Sequence, residues 1–365
     1  MFGPAYGHNI IPFLEYFQED DTSKLTFVHS TSNTFKSQYS RIRFSCYSVI
    51  NPFSIIKLVS IIRADYDLIW NQGGYNILEL LLIYFFKRKH VKFVVNVWGE
   101  RIPKLAKKKN VRGFLYRFAY SKTDYITCLG YGTKDLWEEI LPSNKIGVDL
   151  WGLHRAYFRK NKKELLPFTS EFIDSIDKDK TIFFYPKSIT TASHHLLILD
   201  SINGLENRDK ILVYFWLGNT NNQKIRAKTE DKIKGYDLSH VVKLVDHPFL
   251  PFEDLIAIWQ HVDVGLQIVN NDQLSTTLLE PLLLEKEVMG SKIKPYEKFS
   301  EVFPSMQLKL IENRRYDIQN RFKELANGER TPKDILGERS GVIKTQFNFH
   351  NNISKMLKKI KEISV

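Results

Sequence analysis

A chain of 365 residues, 43% hydrophobic and 26% charged, has the composition of a folded protein and the length of two α/β domains rather than one core. Two distant cysteines, Cys46 and Cys128, exclude a disulfide framework and point to a reducing compartment. Met1 to Phe17 lacks the pattern of a secretory leader. The longest apolar run, Ile77 to Phe86, contains Glu79 and falls short of the roughly 20 residues a spanning helix needs, so a soluble or peripheral protein is expected.

The chain begins with Gly3, Pro4 and Gly7, which have the form of a glycine loop leading into a helix over His8–Phe17, although no strand precedes them. Strands are then expected at Lys24–Ser30, Arg41–Ile50, Asp67–Asn71, Lys92–Trp98, Asp124–Gly130 and Lys145–Trp151. Each is rich in Val, Ile, Phe or Tyr, as buried parallel strands are. Helical patterns at Pro52–Arg63, Ile77–Lys87, Val111–Ser121 and Gly132–Ile140 fill the gaps. This alternation predicts a doubly wound sheet.

The net charge of +12 gathers between Lys87 and Lys122, where twelve lysines and arginines face the single acid Glu100. No helix-turn-helix, zinc or RNA-recognition signature accompanies them, so a nucleic-acid partner is not expected. The basic residues are interleaved with Phe85, Phe86, Phe93, Phe114, Leu115, Tyr116 and Phe118, a mixture suited to an anionic membrane surface. Lys104, Lys107, Lys108, Lys109 and Arg112 are expected on one or two short helices around Leu105, Phe114 and Leu115. Their plain alternative is a solvated basic face.

Residues 166–180 are polar, contain Pro167 and end in a charged run. They are read as a linker between a first domain (1–165) and a second (181–335), with a C-terminal helix in 336–365 free to cross back. Strand–helix alternation restarts at Thr181–Pro186, Ile211–Gly218, Val241–His247 and Val264–Ile268, with shorter strands at Glu287–Ser291 and Gln307–Ile311. Two such sheets predict a cleft that takes the substrate.

The most informative stretch runs from Val264 to Phe299. A buried strand leads into a polar loop, and Ser275, Thr276 and Thr277 open a helix. Hydroxyl residues there are helix caps, and the helix start with its free amides attracts anions. A diphosphate fits such a place, beyond the carboxyl end of a strand. Two carboxylates flank it, Asp272 in the loop and Glu280 on the helix, eight residues apart.

This arrangement resembles the Glu-x7-Glu signature of retaining GT-B glycosyltransferases, notably family four of the carbohydrate-enzyme classification. The resemblance implies two Rossmann-like domains facing each other across a cleft. It also implies a nucleoside-diphosphate sugar as donor, with no cofactor or metal. By position, Glu280 takes the carboxylate that grips the nucleotide ribose and Asp272 the one that touches the transferred sugar. The loop residues Gln273, Ser275 and Thr276, together with Gly218, join the donor-binding set. Asp272 replaces the usual Glu, and Gln273-Leu274-Ser275 replaces Phe-Gly; the Asp-Gln-x-Ser form resembles that of many bacterial surface-polysaccharide transferases. Lys187 falls where the family commonly has a phosphate-binding cation. Trp98-Gly99-Glu100 falls where it often has His-Gly and an acid, which brings Glu100 in as a catalytic candidate. Gly3, Gly7, His8, Trp98 and Gly99 form the expected acceptor-side loops.

The resemblance thus implies retaining transfer to a lipid-linked glycan in bacterial surface-polysaccharide assembly, at the inner face of the plasma membrane. Two alternatives stand beside it, an inverting enzyme like the lipid II fucosaminyltransferases and a non-catalytic partner subunit of the same fold. Asp65-Tyr66-Asp67 and Asp177-Lys178-Asp179 spell the triplet of metal-dependent transferases, but both precede their strands, at the wrong end for a ligand. The adjacent His194 and His195 diverge on a helix and have no zinc-site spacing. Cys128 is expected in the core.

Overall fold

The computed structural model describes residues 14–19, 26–29, 43–46, 52–72, 76–149, 152–159, 164–190, 192–217, 222–247 and 250–362. The chain divides into two compact units, Met1–Trp151 with Phe349–Val365, and Gly152–Asn348.

In the first unit a short helix α1 (residues 14–19) comes first. A parallel pair, β1 (Thr26–His29) and β2 (Arg43–Cys46), follows. A four-stranded parallel sheet then runs in the order β3 (Leu68–Gln72), β4 (Lys92–Val97), β5 (Tyr125–Cys128), β6 (Ile146–Val148). Helices α2 (Pro52–Ile62), α3 (Ile77–Phe86), α4 (Arg101–Ala106), α5 (Val111–Ser121) and α6 (Tyr131–Glu138) connect them. Buried side chains cover both faces of this sheet. Ile69, Phe93, Val95, Ile126 and Cys128 pack with α2, α3 and α5, while Trp70, Val94 and Tyr125 pack with Leu14, Phe17 and the last helix. Burial on both faces is why these strands read as continuous apolar runs.

The second unit holds α7 (Pro167–Asp174), β7 (Thr181–Tyr185), α8 (His195–Asn203), β8 (Ile211–Trp216), α9 (Gln223–Gly235), β9 (Val242–Val245) and α10 (Phe252–Gln260). It continues with β10 (Val264–Gln267), α11 (Thr276–Leu283), β11 (Glu287–Ser291), α12 (Lys294–Val302), β12 (Leu310–Ile311), α13 (Arg315–Ala326) and α14 (Lys333–Gln346). Its six strands are all parallel, in the order β12-β11-β10-β7-β8-β9. Starting from the central β7, the chain first fills one side of the sheet and then the other. The order therefore reverses between β7 and β10, the place where doubly wound sheets bind their ligands.

Two boundaries differ from the sequence reading. Residues 166–180 are not a linker. Pro167 starts α7 at a position that needs no amide hydrogen, and Phe168, Phe172 and Ile176, four residues apart, form an apolar stripe against Trp216, Ile258 and Trp259. Of the polar residues that suggested a linker, Ser170, Glu171 and Asp174 are the exposed face of that helix and Asp177 to Lys180 follow it. Nor is the C-terminal segment 336–365 one helix. α14 stays in the second unit, where Ser340 Oγ donates to the Leu283 carbonyl at 2.6 Å, and only α15 (Phe349–Glu362) joins the first. Between them the Phe347 carbonyl accepts from Leu153 N at 2.6 Å. Gly152, with φ of 75°, sits so close that a Cβ would lie 1.8 Å from that carbonyl oxygen, so only glycine fits.

Candidate functional site

The sequence motif lies at the switch between β7 and β10. The loop after β10 is anchored from both sides: Val269 N donates to Ser291 Oγ at 2.8 Å, and Asn313 Nδ2 donates to the Val269 carbonyl at 2.9 Å. Tyr185 Oη donates to the Ile268 carbonyl at 2.5 Å, tying the loop to the end of β7. The loop then enters α11, which contains Pro281. That proline has no amide hydrogen, and the Thr277 carbonyl accepts from Gln267 Nε2 at 2.6 Å instead. Pro281 also lies flat on β10, because a Cβ at Gly265 would come within 2.9 Å of its Cγ. Glycine and proline together let α11 sit low on the sheet, which sinks Glu280 into the core.

Asp272 is the hub. Its Oδ2 accepts from Lys187 Nζ at 2.7 Å, Ser275 Oγ at 2.9 Å and Tyr296 Oη at 2.9 Å, and its Oδ1 accepts from Gln273 N at 2.8 Å. Lys187, two residues past the end of β7, also donates to Ser275 Oγ at 3.2 Å. Both members of the ion pair are 17% exposed, so the pair faces an opening rather than the core. The expected cap is therefore corrected. Ser275 is the N-cap residue of α11, but its hydroxyl serves Asp272 and makes no cap hydrogen bond. The start of the helix thus keeps its positive end beside Lys187, and Thr276 is exposed there. Gln273 is buried.

Glu280 is only 2% exposed. Trp259 Nε1 donates to its Oε2 at 2.9 Å. The shielded hydroxyl of the half-buried Tyr157 lies beside the same carboxylate, short of a full hydrogen bond. Burial raises the Glu280 carboxyl above its usual range, opposed by the Trp259 hydrogen bond and by the charge of Lys187. Burial, and then the Glu280 charge, pushes the Tyr157 phenol well up.

Lys187, Asp272, Ser275 and Glu280 thus come together in the second unit. Trp98, Gly99 and Glu100 follow the end of β4 in the first, Glu100 at the N-cap position of α4. There Glu100 is buried, with Oε2 2.5 Å from Lys104 Nζ and Oε1 without a hydrogen-bond partner among the described residues. Gly3, Gly7, His8 and Gly218 lie outside the described residues. The basic patch is partly neutralised, since Lys104 pairs with Glu100 and Lys107 with Glu139, leaving Lys108, Lys109 and Arg112 exposed. Asp65 pairs with Arg88 and His90. Of the two histidines, His194 Nε2 meets Asn270 Oδ1 at 2.7 Å. His195 is fully buried between the rings of Tyr185 and Phe215, and Cys128 is in the core. The sequence reading missed Trp259, Tyr157 and Tyr296. No motif announces them; the one usable signal is at Trp259, an aromatic with a polar tip inside the apolar helix pattern of α10.

No protein-family model and no curated protein sequence matches the chain. Solved structures do. Anabaena HepE in complex with UDP superposes with a TM-score of 0.79 at 10% identity, covering 99% of this chain and 98% of that one. A glycosyltransferase from Rickettsia africae gives 0.76 at 15% identity, covering 99% and 97%. Sucrose-phosphate synthase from Thermosynechococcus elongatus gives 0.76 at 10% identity, covering 99% and 94%. The chain therefore has the GT-B fold of these glycosyltransferases.

Proposed function

We propose that this protein is a nucleotide-sugar-dependent glycosyltransferase that retains the donor's anomeric configuration, needs no metal, and acts on a lipid-linked glycan acceptor in surface-polysaccharide assembly. The observation that carries this reading is the convergence of Lys187, Asp272, Ser275 and the open start of α11 at the switch point of the second sheet, with Glu280 beneath. A cation and a helix start together are suited to a diphosphate. HepE has been crystallised with UDP and with UDP-glucose, and a uridine diphosphate sugar is the donor proposed here.

In this scheme the bond between the anomeric carbon and the diphosphate oxygen breaks, and its electron pair stays on the diphosphate. Lys187 and the α11 amides meet that charge as it forms. The acceptor hydroxyl forms the new bond on the same face and gives its proton to the departing phosphate. Asp272 orients the sugar and Glu280 holds the ribose.

The first unit supplies the proposed membrane face, on the cytoplasmic side. Phe53, Ile56, Phe85, Val111 and Phe114 are each more than half exposed. Phe85, Tyr84, Phe118 and Phe114 form a chain of ring contacts across α3 and α5, and Lys122 lies over Tyr84 and Phe118. Apolar rings among Lys108, Lys109 and Arg112 suit an anionic lipid surface.

The deciding experiment is a thermal-shift panel with UDP, GDP, TDP and CMP. A nucleotide at 100 times its dissociation constant adds about 2.7 kcal/mol of stability. A shift with one diphosphate supports the donor reading, and no shift with any of them overturns it. The anomer of the product then separates retention from inversion.

A further inference from the structure

Each of the two site carboxylates is held by a buried aromatic donor from a neighbouring helix. Trp259 comes from α10 and is fully buried, with its ring edge-on to Phe184 at 4.9 Å. It packs so closely on β10 that a Cβ at Gly265 would lie 3.2 Å from its Cη2. Its only polar atom, the indole N–H, donates to Glu280 Oε2. Tyr296 comes from α12 and is likewise fully buried. Its hydroxyl donates to Asp272 Oδ2, the oxygen that Lys187 and Ser275 also use. A tryptophan or tyrosine brought into a core at these depths needs a partner for its polar tip, and here each tip meets a different carboxylate of the motif.

We infer that Trp259 and Tyr296 are positioning residues with separate tasks, Trp259 fixing Glu280 for the nucleotide and Tyr296 fixing Asp272 for the transferred sugar. This rests on the donor reading above. Removing the Trp259 N–H lets the Glu280 carboxylate turn away from the ribose, which both the nucleotide and the nucleotide sugar require. Removing the Tyr296 hydroxyl frees Asp272, which only the sugar-bearing ligand uses.

The test is titration calorimetry of UDP and UDP-glucose on the full chain and on Trp259→Phe and Tyr296→Phe. Both variants keep a buried ring. Trp259→Phe should weaken UDP and UDP-glucose alike, by about tenfold, as expected for one lost hydrogen bond to a charged group. Tyr296→Phe should leave UDP within about twofold and weaken UDP-glucose by about tenfold. In a Glu280→Ala background Trp259→Phe should add nothing, because its partner is gone. Partial unfolding lowers the active fraction equally for both ligands, so the ratio of the two affinities survives it. The inference fails if Tyr296→Phe weakens both ligands equally, if Trp259→Phe weakens neither, or if Trp259→Phe and Glu280→Ala add independently. A parent chain that binds neither ligand overturns the donor reading itself, and this inference with it.

Discussion

The two units share a parallel α/β plan but place their charges differently. The first carries its lysines and arginines on the outside, around exposed aromatic side chains. The second draws Glu280, Asp272 and Lys187 under the carboxyl edge of its sheet. A charge in water interacts weakly and is screened, which suits association with a surface. A charge in a partly dry site acts strongly on whatever enters it. Yet burial alone does not mark a site. Glu287 and Arg321 form an ion pair at 2.9 Å with side chains 3% and 5% exposed, and Glu287 begins β11 rather than ending it. That is the amino edge of the sheet, where doubly wound folds do not bind ligands.

The sharpest way to break this distinction is Glu287→Ala. This change leaves the buried Arg321 guanidinium with only Glu324, at 2.7 Å, to oppose it, and frees Thr331 N as well. The loss should approach the about 3–5 kcal/mol of a broken buried pair, read by denaturant unfolding, while nucleotide affinity of the folded fraction stays unchanged. A loss of affinity as large as that of Glu280→Ala would mean that strand direction does not separate structural from functional charges.

One buried group in each unit should also respond oppositely to pH. Burial raises Asp149, in the first unit, from 3.8 to about 6, with Lys359 pulling it back. The folded state then keeps a proton the unfolded chain has lost, so this group's contribution is full below 3.8 and disappears as pH rises through 6. The loss is roughly 3 kcal/mol, and Asp149→Asn should recover about 2–3 kcal/mol at pH 7.5 and nothing at pH 4. Burial lowers His195, in the second unit, from 6.5 to about 4. Its contribution is full above 6.5 and is lost as pH falls toward 4, again by roughly 3 kcal/mol, and His195→Leu should flatten that loss. Hydrogen exchange followed by mass spectrometry reads the two units separately. pH profiles left unchanged by Asp149→Asn in the first unit and by His195→Leu in the second would contradict these assignments.

Next in size is the site itself. Glu280→Ala should reduce nucleotide affinity by roughly 2–3 kcal/mol, the scale of two hydrogen bonds to a carboxylate. Asp272→Ala should leave UDP affinity nearly unchanged while weakening UDP-glucose binding and lowering turnover, since the contact proposed for it is with the transferred sugar. Equal and small effects on affinity from both would contradict the motif assignment.

The smallest effect per residue belongs to the surface. Changing Lys108, Lys109 and Arg112 to Gln should remove about 1 kcal/mol of the proposed lipid attraction per charge. Co-sedimentation with anionic liposomes should fall, and raising salt from 0.1 M to 1 M should release the parent as the screening length drops from about 10 Å to about 3 Å. Changing Lys104 and Lys107 should matter less, because Glu100 and Glu139 already oppose them. Salt-independent binding would assign this face to apolar contact alone.

The sequence by itself determined the strand–helix alternation, because buried parallel strands are apolar runs and their turns are not. It also marked out the candidate site. The spacing from Asp272 to Glu280 and the hydroxyl residues at the helix start are local features, within one loop and one turn of helix. Tertiary structure decided what those residues touch. Lys187 reaches Asp272 from 85 positions away, Tyr296 reaches it from 24, and Trp259 reaches Glu280 from 21. No local pattern encodes such pairs, since they exist only once the strand order has set β7 beside β10 and packed the helices that follow. The same reason explains the false linker at 166–180 and the serine that was expected to cap its helix. A polar segment shows its apolar stripe only when something is packed against it, and a hydroxyl at a helix start turns to the strongest acceptor in reach, which here is a carboxylate.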